Sequence, residues 1–135
     1  MSADKIFIDT NVLIYLLSAD AEKADRAESI VREGGLISVQ AMNEITNVAR
    51  RKLAMPWKEI NEILFLIRSV CPVEPLTIHT HDLGRYLAER YQLSVYDAMI
   101  VAAALLSECG ILYSEDMQDG LIIDGRLHIQ NPFLL

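Results

Sequence analysis

The chain has 135 residues, of which 52% are hydrophobic and 23% charged, and its formal net charge is −7 at pH 7. This composition is typical of a compact folded protein and excludes an intrinsically disordered one, and the length predicts a single domain over residues 1–135. The negative charge excludes nucleic-acid binding through a broadly basic surface, so any handling of phosphates would need another source of positive charge.

The sequence contains no signal for a membrane span or for export. Its longest apolar run, residues 98–106, is too short to cross a bilayer. The stretch MSADKIFID lacks the basic and apolar regions of a signal peptide, so we expect a cytoplasmic protein. Cys71 and Cys109 show neither CxxC spacing nor clustered histidines. We therefore expect buried free thiols instead of a disulfide or a zinc site.

Short apolar stretches rich in β-branched residues alternate with longer helical patterns, which predicts a parallel sheet covered by helices. The predicted strands lie near residues 5–9, 36–39, 72–75 and 111–114. The predicted helices lie at about 11–18, 20–33, 40–53, 56–70, 78–91 and 94–108. Asp124 and Gly125 separate two apolar runs, a type I′ hairpin signal that adds an edge element. We expect a three-layer α/β fold in which a central, mostly parallel sheet of four to five strands is flanked by helices.

The first candidate for a functional side chain is Asp9, which ends the first predicted strand in FIDTNVLIY. Open α/β sheets bind ligands at the carboxyl ends of their strands, where Asp9 is expected to lie. An Asp at a strand-to-helix turn can equally cap the helix that follows, because its side chain accepts hydrogen bonds from free backbone N–H groups. This segment alone leaves both roles open.

Two further acids lie on predicted helices. Glu44 falls between Ala41 and Val48 on the edge of the buried stripe of its helix, where it needs a partner or must reach solvent. Asp97 opens the apolar helix DAMIVAAALLSEC, in which an unpaired buried carboxylate would be costly. Ser94 and Asp97 also fit a helix-capping box, so a purely structural role stays open for Asp97.

The last predicted core strand runs into the acidic turn LYSEDMQDG, which contains Asp116. An ordinary solvated loop would explain this turn by itself. However, three separate elements then place an Asp at the same edge of the sheet, and a helix offers Glu44 from its half-buried face. Carboxylates brought together raise one another's pKa values unless a cation neutralises them. Oxygen ligands without Cys or clustered His favour Mg²⁺ or Mn²⁺.

Four segments resemble, in order and in local context, the acidic motifs of the PIN domain family. These segments are FIDTNVLIY, MNEITNV, SVYDAMIVAAA and LYSED. The resemblance spans Ile6 to about Asp119, and the short length is similar to that of VapC-type toxins of toxin–antitoxin pairs. It implies a PIN-like fold and metal-dependent hydrolysis of RNA phosphodiester bonds.

The resemblance also implies a site that holds one or two Mg²⁺ or Mn²⁺ ions. Its acids match Asp9, Glu44, Asp97 and Asp116 in this sequence. Asp9 and Asp97 would be the main metal ligands, and Glu44 would hold metal or orient the attacking water. Asp116 would complete the shell, directly or through water. Such ions would activate a water molecule and stabilise the leaving oxygen.

Supporting positions follow from the same match. Asn11 corresponds to the polar position after the first Asp, and Ser114 to the hydroxyl position of the last motif. The fourth acid stays open at this point, because Asp119 lies close enough to share or replace the role of Asp116. Glu115 is a weaker candidate for the same role.

Two features concern partners. Arg50, Arg51 and Lys52 form the one dense basic run, which could bind RNA phosphates or simply compensate a helix C-terminus. The stretch WKEINEILFLIRSV has more apolar side chains than one buried stripe requires, so the excess could form a dimer contact or a groove for a partner helix. The resemblance implies a homodimer, and a cognate antitoxin that covers the groove and the active site.

Two other functions stay open. A haloacid-dehalogenase-like phosphatase also places an Asp after its first strand, although such enzymes usually carry a second Asp two positions later, where this chain has Asn11. A non-catalytic PIN-like binding module would be expected to have lost some of the four acids. All four are present in this chain.

Overall fold

The computed structural model describes residues 5–134, so residues 1–4 and 135 of the predicted 1–135 domain lie outside the described residues. Strands and helices alternate along this part of the chain. The strands are β1 (Ile6–Ile8), β2 (Ile37–Ser38), β3 (Val73–Glu74), β4 (Ile111–Tyr113), β5 (Ile122–Ile123) and β6 (Leu127–Gln130). The α-helices are α1 (Thr10–Leu13), α2 (Ala21–Arg32), α3 (Val39–Arg51), α4 (Trp57–Val70), α5 (Ile78–Tyr91) and α6 (Val95–Leu106).

The main sheet has four strands in the order β1-β4-β6-β5. Strands β1, β4 and β6 are parallel, and β5 pairs antiparallel with β6 at the edge. Strands β2 and β3 form a second, parallel pair. The backbone N–H of Ile8 donates to the Leu36 carbonyl at 2.8 Å, and the N–H of Leu36 donates to the Ile6 carbonyl at 2.8 Å. The predicted mostly parallel α/β fold is confirmed.

The edge hairpin has the backbone that its sequence predicts. Asp124 and Gly125 both have positive φ, 52° and 67°, as a type I′ turn requires. The Tyr91 hydroxyl anchors the turn to α5, since it accepts a hydrogen bond from the Asp124 N–H at 2.8 Å and lies 2.8 Å from the Asp124 carboxylate.

Alternation along the strands produces the three layers. Phe7 packs in one apolar core with α6 and with Leu87 of α5, whereas Ile8 packs in a second core with side chains of α1, α2, α3 and α4. Successive strand residues point to opposite faces of a sheet, so β1 contributes to both cores. Helix α6 is buried nearly all round, as its continuous apolar sequence predicts.

The first predicted helix, 11–18, is divided in the structure. Helix α1 ends at Leu13 and the chain continues as a 3₁₀ helix over Ile14–Leu17, closed by the N–H of Ser18 donating to the Tyr15 carbonyl. This tighter turn carries Tyr15 to a hydrogen bond with Glu115, a contact between residues 100 positions apart that local periodicity does not reveal.

Two sequence predictions concern the rest of the chain. Cys71 and Cys109 are buried free thiols, as predicted, and burial raises the pKa of each to about 11. Between residues 5 and 134, no helix combines the length and the apolar character that crossing a membrane would demand.

Candidate active site

Asp9 fulfils both of the roles that its sequence position left open. It follows β1 and caps α1, because its Oδ1 accepts a hydrogen bond from the Thr10 N–H at 2.7 Å. Its Oδ2 accepts hydrogen bonds from the Ser114 hydroxyl at 3.0 Å and from the Asn11 amide at 3.2 Å. Asp9 is only 6% exposed, so the carboxylate is buried and fixed in orientation.

Asp9 also lines a cavity of about 230 Å³ into which acids from four separate segments project. The cavity is lined by Asp9, Thr10, Asn11, Ile14, Gln40, Glu44, Tyr96, Asp97, Ile100 and Asp116. All four acids predicted from the sequence are therefore present at one place. Among residues 5–134, no Lys or Arg contributes to this lining.

The acids reach the cavity because of where their elements begin. Ser38 ends β2 and caps α3, with its hydroxyl accepting from the Ala41 N–H at 3.1 Å, so α3 starts at the carboxyl edge and carries Glu44. Ser94 caps α6 in the same way, accepting from the Asp97 N–H at 3.2 Å. Asp97 thus lies in the first turn of α6, and the predicted cap is compatible with a place in the cavity.

The environment of Asp9 disfavours its ionised form. Burial raises the pKa of Asp9 to about 6, and hydrogen bonds from Ser114 and from the Thr10 N–H only partly oppose this rise. The nearby charges of Asp97 and Glu44 raise it further. A cation in the cavity would reverse this effect by stabilising the carboxylate.

Asp97 shows the same behaviour to a smaller degree. Burial raises its pKa, a hydrogen bond with Ser94 opposes the rise, and the charges of Asp116 and Glu44 add to it. Each of the four acids therefore lies within electrostatic reach of at least one other. The four acids line one cavity without converging on a single point, since no three acidic, His or Cys side chains within residues 5–134 are arranged to ligate a single ion.

Asn11 and Ser114 connect the two strand ends that form the floor of the site. The Asn11 amide nitrogen contacts the Ser114 hydroxyl at 3.3 Å as well as Asp9, and the Asn11 carbonyl accepts from the Glu115 N–H at 3.1 Å. The Ser114 hydroxyl also accepts from the Met117 N–H at 3.2 Å. These contacts hold the turn after β4 against the start of α1, so both residues position Asp9.

The turn after β4 separates its three acids. Asp116 is exposed and lines the cavity. Asp119 accepts a hydrogen bond from the Asn131 N–H at 2.8 Å and does not line the cavity. Glu115 is paired with Lys23 at 2.7 Å and does not line the cavity. The geometry favours Asp116 as the fourth acid of the cluster.

Comparison with known proteins gives a family assignment. The family model of the PIN domain matches residues 6–118. The chain belongs to the PIN domain family. The match contains all four cavity acids and ends one residue before Asp119. A comparison with curated proteins gave no match.

Solved structures share the fold of this PIN domain. A toxin–antitoxin complex from Klebsiella pneumoniae matches with a TM-score of 0.73 at 21% identity, over 95% of this chain and 98% of the other. VapC20 of Mycobacterium tuberculosis, described as a sarcin–ricin loop cleaving toxin, matches with a TM-score of 0.67 at 18% identity, over 83% and 90%. DNA-bound VapBC from Salmonella typhimurium matches with a TM-score of 0.66 at 22% identity, over 96% and 99%.

Three polar residues that line the cavity of this PIN domain, Thr10, Gln40 and Tyr96, were not predicted from the sequence as members of the site. Gln40 lies one helical turn before Glu44 and donates to its carboxylate at 3.2 Å. Tyr96 precedes Asp97 and is 73% exposed. Thr10 is 3% exposed, and its hydroxyl oxygen is the one buried side-chain N or O atom of residues 5–134 without a hydrogen-bond partner. Spacing from the acids could have identified Gln40 and Tyr96.

The three residues of the basic run, Arg50, Arg51 and Lys52, have different surroundings in this PIN domain. Arg50 donates to the Met55 carbonyl at 3.0 Å, and its guanidinium lies 5.4 Å from the centre of the Trp57 ring. Arg51 and Lys52 are exposed. Arg51 follows Glu44 by seven residues, which places both on one face of α3 about two turns apart.

Proposed function

We propose that this protein is a metal-dependent endoribonuclease that hydrolyses RNA phosphodiester bonds and acts as the toxin of a toxin–antitoxin pair. The observation that carries this proposal is the cavity at the carboxyl edge of the sheet that Asp9, Glu44, Asp97 and Asp116 all line. Acids gathered in this way suit a hard divalent cation, and such cations catalyse phosphodiester hydrolysis.

The residues present fit Mg²⁺ or Mn²⁺. The donors are carboxylate oxygens, supplemented by amide and hydroxyl oxygens, and the cavity lining within residues 5–134 offers no basic side chain to neutralise them. The buried, unpartnered hydroxyl of Thr10 is a further polar group that a ligand in the cavity could satisfy. When bound, the ion would supply positive charge, activate water and stabilise the leaving oxygen.

Each of the four acids is proposed to have a role at the metal site. Asp9, whose orientation is fixed by Asn11 and Ser114, and Asp97, fixed by the start of α6, are proposed as the main metal ligands. Glu44 is half-buried, and within residues 5–134 its carboxylate accepts a hydrogen bond from the Gln40 amide alone, which suits a group that holds metal or orients the attacking water. Asp116 lies at the exposed rim and would complete the shell.

RNA as the substrate is supported by two observations. The structural neighbour VapC20 is described as a toxin that cleaves the sarcin–ricin loop. In this chain, Arg51 is the last residue of the helix that carries Glu44 and Lys52 is its C-cap, so they offer exposed positive charge about two helical turns from Glu44. A bound cation and this basic helix end would together counter the net charge of −7.

An antitoxin and a second copy of the chain are the proposed protein partners. Helix α4 exposes Trp57, Phe65, Leu66 and Val70, which are the excess apolar side chains expected from the sequence. A groove of about 530 Å³, lined by Met42, Leu64 and Phe65 among others, runs along this helix. Exposed apolar surface of this kind is typical of a protein interface, and the Klebsiella neighbour is a toxin–antitoxin complex.

An RNA cleavage assay tests the proposed function. The purified protein, free of any co-purifying antitoxin, is incubated with single-stranded and structured RNAs in Mg²⁺, Mn²⁺ or EDTA. We expect metal-dependent cleavage that falls by about 100-fold or more in Asp9→Asn and Asp97→Asn, the range typical for loss of an electrostatic catalytic group.

The acidic turn provides a matched pair of controls. Asp116→Asn should reduce cleavage, whereas Asp119→Asn should not, because Asp119 is bonded to the Asn131 N–H and lies outside the cavity. Phosphate release from a phosphatase substrate without RNA cleavage would instead support the haloacid-dehalogenase-like function. A folded, antitoxin-free protein without activity on any substrate would support the binding module.

A further inference from the structure

A densely hydrogen-bonded polar cluster outside the cavity surrounds Lys23 of α2. Its ammonium lies 2.7 Å from Glu115 Oε2 and donates to the Tyr15 hydroxyl at 3.0 Å. The Tyr15 hydroxyl in turn donates to Glu115 Oε1 at 2.5 Å. Both oxygens of Glu115 are therefore bound, one by a cation and one by a phenol.

Aromatic rings enclose the same ammonium. Lys23 Nζ lies 4.6 Å from the centre of the Tyr15 ring and 5.2 Å from that of Phe133, and the two rings meet edge to face with centroids 4.9 Å apart. The Lys23 side chain is 36% exposed and that of Glu115 is 23% exposed. The pair is thus partly shielded from solvent. Partly buried ion pairs are screened less by water and salt than exposed pairs are.

This cluster differs from the other ion pairs among residues 5–134. Arg32 with Glu28 and Arg85 with Asp82 each join neighbouring turns of one helix, and their side chains are more than half exposed. Lys23 and Glu115 are 92 residues apart and join α2 to the turn after β4. Exposed pairs within one helix contribute little to stability, whereas this pair connects α2 to the segment that carries Asp116.

A continuous path of hydrogen bonds leads from this pair into the cavity. The backbone N–H of Glu115 donates to the side-chain carbonyl of Asn11 at 3.1 Å, which determines which way the Asn11 amide faces. The amide nitrogen of Asn11 then points to Asp9 Oδ2 at 3.2 Å. The position of Glu115 is therefore coupled to the orientation of the Asp9 carboxylate.

From this geometry we propose that Lys23, with Tyr15, is a positioning element for the metal site: it anchors Glu115 and thereby holds both Asp116 and the Asn11–Asp9 pair in place. The inference rests on the proposed function of the acids as metal ligands. It assigns Glu115 an anchoring role instead of the metal-binding role considered from the sequence. Partners of metal ligands commonly tune metal affinity in this way.

Substitution of Lys23 tests the proposal. Lys23→Met removes the charge but keeps an apolar stem against the two rings, and Lys23→Arg restores a cation. Arg85→Met is the matched control, because it breaks an exposed ion pair on α5. Mn²⁺ affinity is measured by calorimetry, kcat and KM by RNA cleavage, and the Asn11 and Glu115 amide resonances by NMR of the metal-free protein.

We expect Lys23→Met to weaken Mn²⁺ binding about tenfold, the lower end of the effect of lost outer-shell partners. The value of kcat should fall while KM stays within about twofold, since Lys23 does not contact RNA in this proposal. The Asn11 and Glu115 resonances should move. Lys23→Arg should recover most of the affinity, and Arg85→Met should leave every quantity unchanged.

Other outcomes would overturn the proposal in distinguishable ways. If Asp97→Asn abolishes Mn²⁺ binding but Lys23→Met matches the wild type in Mn²⁺ affinity and kcat, the role of Lys23 is wrong and the proposed function stands. If Lys23→Arg is as impaired as Lys23→Met, the charge is not what matters and the anchoring role fails. If the wild type itself binds no Mn²⁺, the proposed function fails and the positioning role falls with it.

Discussion

At the scale of single residues, Asp9 combines a structural and a chemical role. Its carboxylate caps α1 and accepts two side-chain hydrogen bonds, and all three bonds favour the ionised form. Burial outweighs them and raises the pKa of Asp9 to about 6. In the folded protein, the site is therefore prepared for a cation at a cost in stability.

That cost predicts how the stability of Asp9→Asn depends on pH. A carboxyl whose pKa is higher in the folded state, about 6 against 3.8, stabilises the fold at low pH and loses this contribution as pH rises through about 6. In EDTA, the free energy of unfolding of the wild type should therefore fall by about 2 kcal/mol relative to that of Asp9→Asn as the pH rises from about 4 to about 8. Urea unfolding of both proteins across this range provides the measurement.

The sign of the pH trend separates this account from a purely structural one. Rearranged hydrogen bonds in the Asn variant would change the difference in unfolding free energy by an amount independent of pH. A difference that stays constant across the range would show that Asp9 titrates normally. A difference that changes in the opposite direction would show that the folded state prefers the carboxylate.

The sequence indicated the acids but could not choose among those of the last turn. The family motif matched Asp116, but Asp119, three residues later, lies close enough in sequence to share or replace its role. The choice depends on the Asn131 N–H, which bonds Asp119, and on Lys23, which holds Glu115. Asn131 is 12 residues from Asp119 and Lys23 is 92 residues from Glu115, so only tertiary structure reveals these contacts.

At the scale of elements, the alternation of short β-branched apolar stretches with longer helical patterns predicted the strands and helices well, and Asp124 with Gly125 predicted the edge hairpin. The prediction was wrong where tertiary contacts replace local pattern. The predicted helix 11–18 gives way to 3₁₀ geometry after Leu13, where Tyr15 turns toward Glu115. The sequence predicted that α4 has more apolar side chains than its buried face needs, but it did not show which of them are exposed.

Helix α3 joins the cavity to the basic run and allows a test of RNA contact. We expect Arg51→Gln, on the Glu44 face, to weaken RNA binding across sequences and to reduce the salt dependence by about 0.7 in log–log slope, as for one phosphate contact on a single strand. Binding is measured by fluorescence anisotropy at several salt concentrations in the Asp97→Asn background, so that the RNA stays intact.

Arg50→Gln is the matched control for this experiment. Arg50 belongs to the same helix end and has the same charge, but its guanidinium is already engaged by the Met55 carbonyl and the Trp57 ring. It should therefore change the salt dependence less than Arg51→Gln. Equal binding by both variants and by the parent protein would leave the run with a helix-end role alone.

At the scale of the whole molecule, the fold concentrates part of the chain's negative charge at one edge of the sheet. The chain carries 19 acidic and 12 basic side chains, and the fold brings four of the acids to one edge of its sheet. The parallel topology accounts for this convergence, because β1 and β4 end there and α3 and α6 begin there. An acidic protein can approach RNA if a cation occupies that edge.

Binding of Mn²⁺ to the cavity acids is therefore the central claim, and calorimetric titration of the wild type beside Asp97→Asn and Asp119→Asn tests it most directly. We expect saturable binding to the wild type and to Asp119→Asn, and affinity at least about tenfold weaker in Asp97→Asn, as is typical for loss of a metal-site group. Equal affinity in all three proteins, or no binding by the wild type, would contradict the account.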